Sequence, residues 1–410
     1  MAIEQKNEPS LRPFTDPVLS EEDIEVPDDY RMVPVRFRGS GGEYFRIWIV
    51  NLLLSIVTLG VYSAWAKVRS KRYFFGNTYI EDDAFEYHAT PISILKGRAI
   101  SVVILLLVYL SAYISGYLQA AFLGLIVLIS PWVICNSLRF NSRYTSFRNV
   151  RFLFAGRVRR AYLILFGIPL IPVGIAGVVA LGSWLENSSV GAETLSLTVT
   201  LGFVGAYLLF PLIQQRFTKF RINHQHYGQL ALNTRVESGH YYFVYLKMIL
   251  WSALAYGLLA GLVFVIALVV GKPLQNLANP GVAGSISPAF YLVSFLPLIV
   301  LGMWFRAYME CKIRNYVFDH SKVGTHVSLR SALKISRLML IYLGNLVLLI
   351  VTLGLAYPWT KVRLQKYRLE TIQLKVWGSL DHVVGQAESS RSSFGEELGE
   401  AFDVDLDLGF

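Results

Sequence analysis

Two stretches near opposite ends of this chain repeat each other: residues 51–73 read NLLLSIVTLGVYSAWAKVRSKRY and residues 345–367 read NLVLLIVTLGLAYPWTKVRLQKY. They align without a gap, with 13 identities in 23 positions, at an offset of 294 residues. The shared Thr-Leu-Gly, Trp and Lys-Val-Arg are more specific than two apolar segments would share by chance. We interpret the pair as two copies of one structural unit, that is, as an internal repeat.

A weaker form of the pattern recurs between these copies. It consists of a Pro or Ala followed nine residues later by an aromatic residue with a base before it, and it runs from Ala64 to Tyr73, Pro131 to Phe140, Pro211 to Phe220 and Pro358 to Tyr367. Short alternating segments follow the first three, at residues 85–87, 152–154 and 230–232. Each unit is predicted to be an apolar helical hairpin, a basic and aromatic helix end at the membrane interface, and a short strand-like segment.

The composition is that of a membrane protein. Of the 410 residues, 54% are hydrophobic and 16% are charged, whereas soluble domains carry about 25% charged residues. Eight apolar segments, most of them long enough to cross a bilayer, occupy residues 47–66, 100–118, 120–134, 161–181, 195–213, 245–270, 289–305 and 338–356. The predicted fold class is an all-α polytopic membrane protein of helical hairpins with internal repeats and short strand-like segments in cytoplasmic loops.

The charges are segregated along the chain. Residues 1–30 and residues 376–410 each carry a net charge of −7, and residues 31–375 carry +24. The sequence therefore predicts an acidic disordered tail at 1–34, a multi-pass membrane domain at 35–375 and an acidic tail at 376–410. Because the loops after the first, third, fifth and seventh segments are basic, they and both termini are expected in the cytoplasm.

The first and last apolar segments have bases on both flanks, which a simple crossing does not explain. A glycine can break a helix cheaply, and a threonine can bond the backbone groups that are freed. The Thr-Leu-Gly elements at 58–60 and 352–354 therefore favour re-entrant hairpins that enter the membrane and return. Two plain tilted spans are the alternative.

At these motifs the chain resembles the YjgN family of bacterial inner membrane proteins. The resemblance rests on Tyr44 to Ile49, Thr58-Leu59-Gly60, Trp65 to Arg69, Arg72-Tyr73, Phe85 to His88, and the later Pro358-Trp359 and Lys361-Val362-Arg363. It covers about residues 35–375 and implies the bacterial cytoplasmic membrane and many passes. It implies no catalytic or ligand-binding residue.

No enzymatic motif accompanies these segments, since the sequence contains neither HExxH, a P-loop, GxSxG nor CxxC. We expect a protein that is not an enzyme and has no cofactor. His224 and His226 could hold a metal, but two histidines on a basic loop are more often polar surface. Arg306 and Glu310, four residues apart, are expected to pair along one helix.

The candidate site consists of the repeated polar, basic and aromatic positions. In the first copy these are Asn51, Thr58, Gly60, Trp65, Lys67, Arg69, Arg72 and Tyr73, and in the second Asn345, Thr352, Gly354, Trp359, Lys361, Arg363, Lys366 and Tyr367. One interpretation is an interfacial anchor of aromatic residues and positive charges. The sharper hypothesis is a site for anionic lipid headgroups or an anionic solute. The two asparagines are expected to serve packing more than ligand contact.

Two functions fit this pattern. The repeat and the helix-breaking motifs favour a transporter or channel for an unidentified solute. The alternative is a non-transporting scaffold or anionic-lipid-binding protein, with membrane lipids as partners. Nucleic acid is not an expected partner, because the bases are spread over several loops without a nucleic-acid module.

Overall fold

The computed structural model of the chain describes residues 30–186, 192–269 and 288–388. The strands are β1 Arg31–Phe37, β2 Thr78–Ile80, β3 Asp83–Tyr87, β4 Thr145–Phe147, β5 Val150–Phe154, β6 Gln225–Tyr227, β7 Leu230–Thr234, β8 Ser321–Val323, β9 Val327–Ser331 and β10 Ile372–Val376. The helices are α1 Gly41–Val57, α2 Ser63–Gly76, α3 Pro91–Ile114, α4 Gly116–Arg143, α5 Val158–Tyr162, α6 Ile168–Glu186, α7 Ala192–Leu208, α8 Phe210–Asn223, α9 Ser238–Val269, α10 Pro288–Asp319, α11 Ile335–Val351, α12 Tyr357–Glu370 and α13 Leu380–Glu388. A π-helical turn, Leu163–Gly167, joins α5 to α6.

The ten strands in the described residues close into an antiparallel barrel, with β1 paired to both β2 and β10. Within β1 the residues Val33, Val35 and Phe37 are buried and those between them are exposed, which is the period of two expected of a strand. Arg148 and Asn149 connect β4 to β5 with φ values of 47° and 63°. Positive φ at both central residues is typical of the tightest hairpin turns.

The expectation of an all-α fold is therefore wrong. The alternating segments at 85–87, 152–154 and 230–232 do form strands, within β3, β5 and β7, but each pairs with two of the seven other strands, and all ten close into a barrel. The sequence did not reveal the barrel, because several of its strands are only three residues long. In addition, paired strands that are not joined by a short turn lie far apart in the chain; β1 and β10 are separated by more than 300 residues.

The barrel divides the molecule into two ends. Neighbouring strands alternate in direction, so the connections from β1 to β2, β3 to β4, β5 to β6, β7 to β8 and β9 to β10 all leave from the same end. Each of these five connections contains helices, and we call this the helical end. The short turns, the start of β1 and the end of β10 lie at the opposite end, which we call the turn end.

The barrel is filled from the turn end by α13. Its Leu380, Val383 and Ala387 are buried in a cluster with residues from seven strands, among them Val33, Val150 and Val376. Arg148 donates to Asp381 of this helix at 2.8 Å and also to Glu81 and Asp83 beside β2 and β3. This helix lies within residues 376–410, which were predicted to be the acidic C-terminal tail. Likewise, β1 begins within residues 1–34, the predicted N-terminal tail. Residues 1–29 and 389–410 lie outside the described residues.

Four helical segments in the described residues are long and apolar enough to cross a membrane: Pro91–Ile114, Gly116–Arg143, Val158–Leu185 and Ser238–Gly261. The pair Ser196–Leu208 and Phe210–Asn223, bent by 42°, makes a fifth if it is one span. The barrel strands, at three to seven residues, are shorter than the roughly nine to eleven residues of a transmembrane strand. The helices, rather than the strands, are therefore the candidate membrane-spanning elements.

The first and last connections are shorter hairpins, α1–α2 and α11–α12. Each breaks at Thr-Leu-Gly with nearly the same backbone: Leu59 and Leu353 have φ of 50°, and Gly60 and Gly354 have φ of 91° and 88°. The Thr58 hydroxyl donates to the Leu54 carbonyl at 2.7 Å and accepts from a backbone N–H four residues later, and Thr352 does the same with Leu348 at 2.6 Å. Each hairpin returns to the barrel strand next to the one it left.

A basic cleft at the helical end

A cleft with a cavity of about 570 Å³ lies between the α1–α2 hairpin and α12. Tyr44, Trp48 and Asn51 of α1 form one wall, and α12 contributes Lys361. Hairpins that begin at adjacent barrel strands lie side by side, and β1 is adjacent to both β2 and β10. The barrel thus brings together side chains that are about 300 positions apart in the chain.

Four cations line this cleft: Lys67 and Lys71 on α2, Arg98 on α3, and Lys361 on α12. Among the residues that line it there is no Asp or Glu. Their contacts within the described residues are to neutral groups. The Lys361 ammonium donates to the Tyr44 hydroxyl at 3.0 Å, and that of Lys71 donates to the Asn141 side-chain oxygen and to the Tyr87 hydroxyl.

Aromatic rings surround the Lys361 ammonium. Its nitrogen lies 5.2 Å from the centre of the Tyr44 ring, 5.0 Å from that of Phe74 and 5.9 Å from that of Tyr357. Rings stabilise a cation through the negative charge on their faces. They leave the positive field of the cleft uncancelled, however, because they carry no net charge.

Burial and neighbouring positive charge lower the pKa of two lysines in the cleft. Burial, and then the charge of Lys67, lower the pKa of Lys71 to about 8. Partial loss of solvent, and then the charge of Arg98, lower the pKa of Lys67. Both shifts have the sign expected of desolvation and, second, of a neighbouring like charge, and a bound anion would oppose them.

Asn51 is the buried polar residue of the cleft. The residue is 4% exposed, and neither its Nδ2 nor its Oδ1 has a hydrogen-bond partner among the described residues. In proteins the large majority of buried polar side-chain atoms are hydrogen-bonded, so an amide with no partner at either end needs an explanation.

The second copy of the repeat provides an internal comparison. Position by position, Trp48, Asn51, Lys67 and Phe74 correspond to Tyr342, Asn345, Lys361 and Arg368. In the second copy Glu310 of α10 accepts from Arg368 at 2.6 and 2.7 Å, and the Tyr342 hydroxyl donates to it at 2.6 Å. A carboxylate of the protein therefore neutralises this arginine, whereas the described residues that line the basic cleft include four cations and no acidic side chain.

Of the sequence-predicted site residues, Asn51, Lys67 and Lys361 meet in the basic cleft. Thr58, Gly60, Thr352 and Gly354 lie at the two hairpin tips. Asn345 lies outside the basic cleft and donates to the Thr360 carbonyl at 3.2 Å.

The remaining predicted residues fasten the hairpins to the barrel or lie on their surface. The Tyr73 hydroxyl accepts from the Ser40 N–H at 2.8 Å, and the corresponding Tyr367 accepts from the Lys334 N–H at 2.9 Å, which fixes the start of α1 and of α11. Arg72 donates to the carbonyls of Tyr87 and Ala89. The other predicted residues lie outside the cleft. Trp65 stacks on Tyr62, and Trp359 packs on Phe45. The Lys366 ammonium is 3.8 Å from the Glu370 carboxylate, and Arg69 and Arg363 are exposed.

The sequence reasoning missed Lys71, Arg98 and Trp48. Lys71 could have been found, because it is four residues after Lys67 and so on the same face of a helix. Arg98 is brought in by a separate hairpin and has no such signal. The expected pairing of Arg306 with Glu310 was wrong, because Glu310 pairs with Arg368, and Arg306 lies over the Tyr342 ring.

The small-to-aromatic spacing occurs in a fifth returning helix, from Ala307 to Tyr316 in α10. In all five the small residue is buried, and the aromatic residue precedes the next strand by five positions. This fifth occurrence lacks a base before the aromatic, since Asn315 stands there, which is why the sequence pattern did not include it.

Metal ligands are not gathered anywhere in the described part of the chain, where no three His, Cys, Asp or Glu side chains form a group. His224 instead contacts the Phe220 carbonyl at 2.9 Å and the Arg160 guanidinium at 2.8 Å.

These observations define a class: a helical membrane protein whose hairpins extend from one end of a small closed barrel, with a basic cleft between the first and last hairpins. The chain belongs to a family of bacterial proteins of unknown function, DUF898, whose sequence profile matches residues 32–401. It is 26% identical over 358 residues to the inner membrane protein YjgN of Salmonella typhimurium, covering 84% of this chain and 88% of that protein.

The inner membrane protein YjgN of Escherichia coli O157:H7 is also 26% identical, over 175 residues, covering 41% of this chain and 43% of that protein. The resemblance to the YjgN family is thus confirmed, and the chain is an inner membrane protein of that family. No solved structure matches the chain.

Proposed function

We propose that this inner membrane protein binds an anionic group, foremost the phosphate of an anionic membrane lipid, in the cleft between α1, α2 and α12. The observation that carries the proposal is the set of four cations, Lys67, Lys71, Arg98 and Lys361, around a cavity whose described lining residues include no acidic side chain. Binding an anion there replaces the repulsion among these cations with charge-assisted hydrogen bonds.

The position of the cleft relative to the apolar segments supports a lipid ligand. Arg98 lies in the second turn of α3, just before the long apolar run that begins at Ile100. A cation at this height along a spanning helix lies at the level of the headgroups. The apolar walls, including Trp48, Leu52 and Phe74, suit the glycerol backbone and the first carbons of an acyl chain.

The proposed orientation places the barrel, the turn end and both termini in the cytoplasm, because the bases are concentrated at the barrel-proximal ends of the helices. The two short hairpins then enter the membrane from the cytoplasmic side and return. Their tips are apolar and exposed, with Leu59 95% and Leu353 93% accessible, as expected of side chains that contact lipid.

The test is direct binding of short-chain phosphatidylglycerol to the full chain in a neutral detergent, measured by calorimetry. Lys67→Gln combined with Lys361→Gln is expected to weaken binding at least tenfold, since each charge-assisted contact is worth about 1.5 kcal/mol or more. The matched control is Lys322→Gln, an exposed lysine on β8 outside the cleft. Equal affinity of the double variant and the control would overturn the proposal.

Transport of a solute is the second candidate. It is favoured by the paired breaks at Thr-Leu-Gly, since transporters place binding sites beside broken helices in corresponding repeats. The same variants distinguish the two candidates. Anion uptake into liposomes by the wild-type chain, lost in the double variant, would favour transport, whereas lipid binding without uptake would favour a lipid-binding or scaffold role.

A further inference from the structure

Asn51 restricts the chemistry of the ligand more than the lysines do. A primary amide donates through Nδ2 and accepts through Oδ1. In Asn51 both atoms are buried, both lack a partner, and the residue lines the cleft. A ligand that satisfies this amide must therefore both accept a hydrogen bond and donate one.

An anion alone meets half of this requirement. A phosphate or carboxylate oxygen accepts from Nδ2 but has no proton for Oδ1. A ligand ammonium has protons, but Lys67, Lys71, Arg98 and Lys361, which line the same cleft, would repel it. Among the donors that phosphate-bearing headgroups carry, the neutral hydroxyl remains.

The equivalent amide in the second repeat copy, that of Asn345, is partly paired by the protein itself. Asn345 donates its Nδ2 to the Thr360 carbonyl at 3.2 Å, and only its Oδ1 lacks a partner. Glu310 supplies the negative charge there. Of the two repeat copies, the first is the one that combines, among the described residues, cations without an acidic partner and an amide without a partner at either end.

We propose that the ligand of the basic cleft is a hydroxylated phosphate, that is, a phosphodiester headgroup bearing a polyol such as glycerol. Lys67 and Lys361 bind its phosphate, and Asn51 binds one of its hydroxyls. The inference rests on the proposed function and deepens it. It distinguishes a polyol phosphate from headgroups that carry an ammonium group or no hydroxyl.

The experiment compares two short-chain lipids of equal charge, phosphatidylglycerol and phosphatidylpropanol, which differ only in the hydroxyls of the headgroup. Calorimetry on the full chain in a neutral detergent is expected to show roughly tenfold tighter binding of phosphatidylglycerol, because a hydroxyl that pairs a buried amide is worth about one hydrogen bond. Asn51→Leu is expected to abolish this preference and to retain phosphatidylpropanol binding, which also shows that the variant is folded.

Asn345→Leu is the matched control and is expected to keep the preference. If the wild-type chain binds both lipids equally, the inference is overturned while the anion site stands. If it binds neither, the proposed function fails as well. Glycerol phosphate serves as a third probe, which distinguishes a soluble ligand from a lipid. If it binds as tightly as phosphatidylglycerol, the ligand is a soluble polyol phosphate. If it binds much more weakly, the ligand is the lipid.

Discussion

At the scale of single residues, Lys71 makes the cleft sensitive to pH. Its pKa is lowered to about 8, so its ammonium is charged below that pH and neutral above it. Affinity for phosphatidylglycerol, whose phosphodiester keeps one negative charge throughout, is therefore expected to fall several-fold as the pH rises from 7 to 9. Tyr87, the neighbour of Lys71, has its pKa raised to about 12 by burial and does not titrate in this range.

The control for this prediction is Lys71→Arg, which stays charged across the same range and should flatten the profile. Calorimetry at each pH makes the comparison. A wild-type profile that is already flat, or an arginine variant with the same slope, would contradict the role assigned to Lys71.

Glu310 contributes to stability at the same scale. Its carboxylate and the Arg368 guanidinium are 20% and 25% exposed, and they pair through two hydrogen bonds. Glu310→Gln leaves the arginine without a counter-ion and is expected to cost about 3 kcal/mol. Glu370→Gln, whose partner Lys366 is exposed at 3.8 Å, is expected to cost less than about 0.5 kcal/mol. Thermal unfolding in detergent checks both, and equal melting temperatures for the two variants would count against the buried pair.

At the scale of elements, the two hairpin tips depend on glycine. Gly60 and Gly354 have φ near +90°, where a side chain is strained. Alanine at either position is expected to destabilise the protein by about 1–2 kcal/mol. Gly42→Ala is the matched control, because that glycine lies in the first turn of α1 with open space around it. Scanning fluorimetry should show a lower melting temperature for the two tip variants only; unchanged tip variants would contradict the strained turn.

The elements also show how far the sequence could predict this structure. Residues 51–73 and 345–367 contain both copies of the break, so each apolar segment could be recognised as two helices with Thr-Leu-Gly between them. The barrel could not be recognised, because a strand such as Thr78–Ile80 is too short to show a period, and its pairing depends on tertiary contacts.

The cleft was only partly predictable for a related reason. Lys67 and Lys361 were identified by their equivalence, but the repeat does not indicate that the two copies are neighbours. That follows from the closure of the barrel between β1 and β10. Arg98 belongs to an unrelated part of the sequence and reaches the cleft only because α3 starts beside α2.

At the scale of the whole molecule, the barrel makes the five hairpins parts of one ring. An equivalent backbone hydrogen bond joins the residue after each outgoing strand to the residue after the returning helix: Arg38 to Asn77, His88 to Tyr144, Ala155 to His224, Arg235 to His320 and Ala332 to Thr371. The first and last hairpins are neighbours in this ring although they lie at opposite ends of the sequence. Any ligand in the cleft would therefore join the two ends of the chain.

The same architecture makes a prediction about topology. Because all hairpins leave the same end of the barrel, a long hairpin that crosses the membrane must expose its tip on the opposite side, whereas a re-entrant one must not. The background for the test replaces Cys135 and Cys311, both buried and free, by serine. Tyr117 lies at the tip of α3–α4 and is 92% exposed. Tyr117→Cys is expected to react with an impermeant maleimide from outside intact cells. Leu59→Cys and Lys322→Cys are expected to react only after the cells are opened or not at all. Labelling of Leu59→Cys from outside would mean that the first hairpin crosses the membrane, and labelling of Lys322→Cys from outside would invert the proposed orientation.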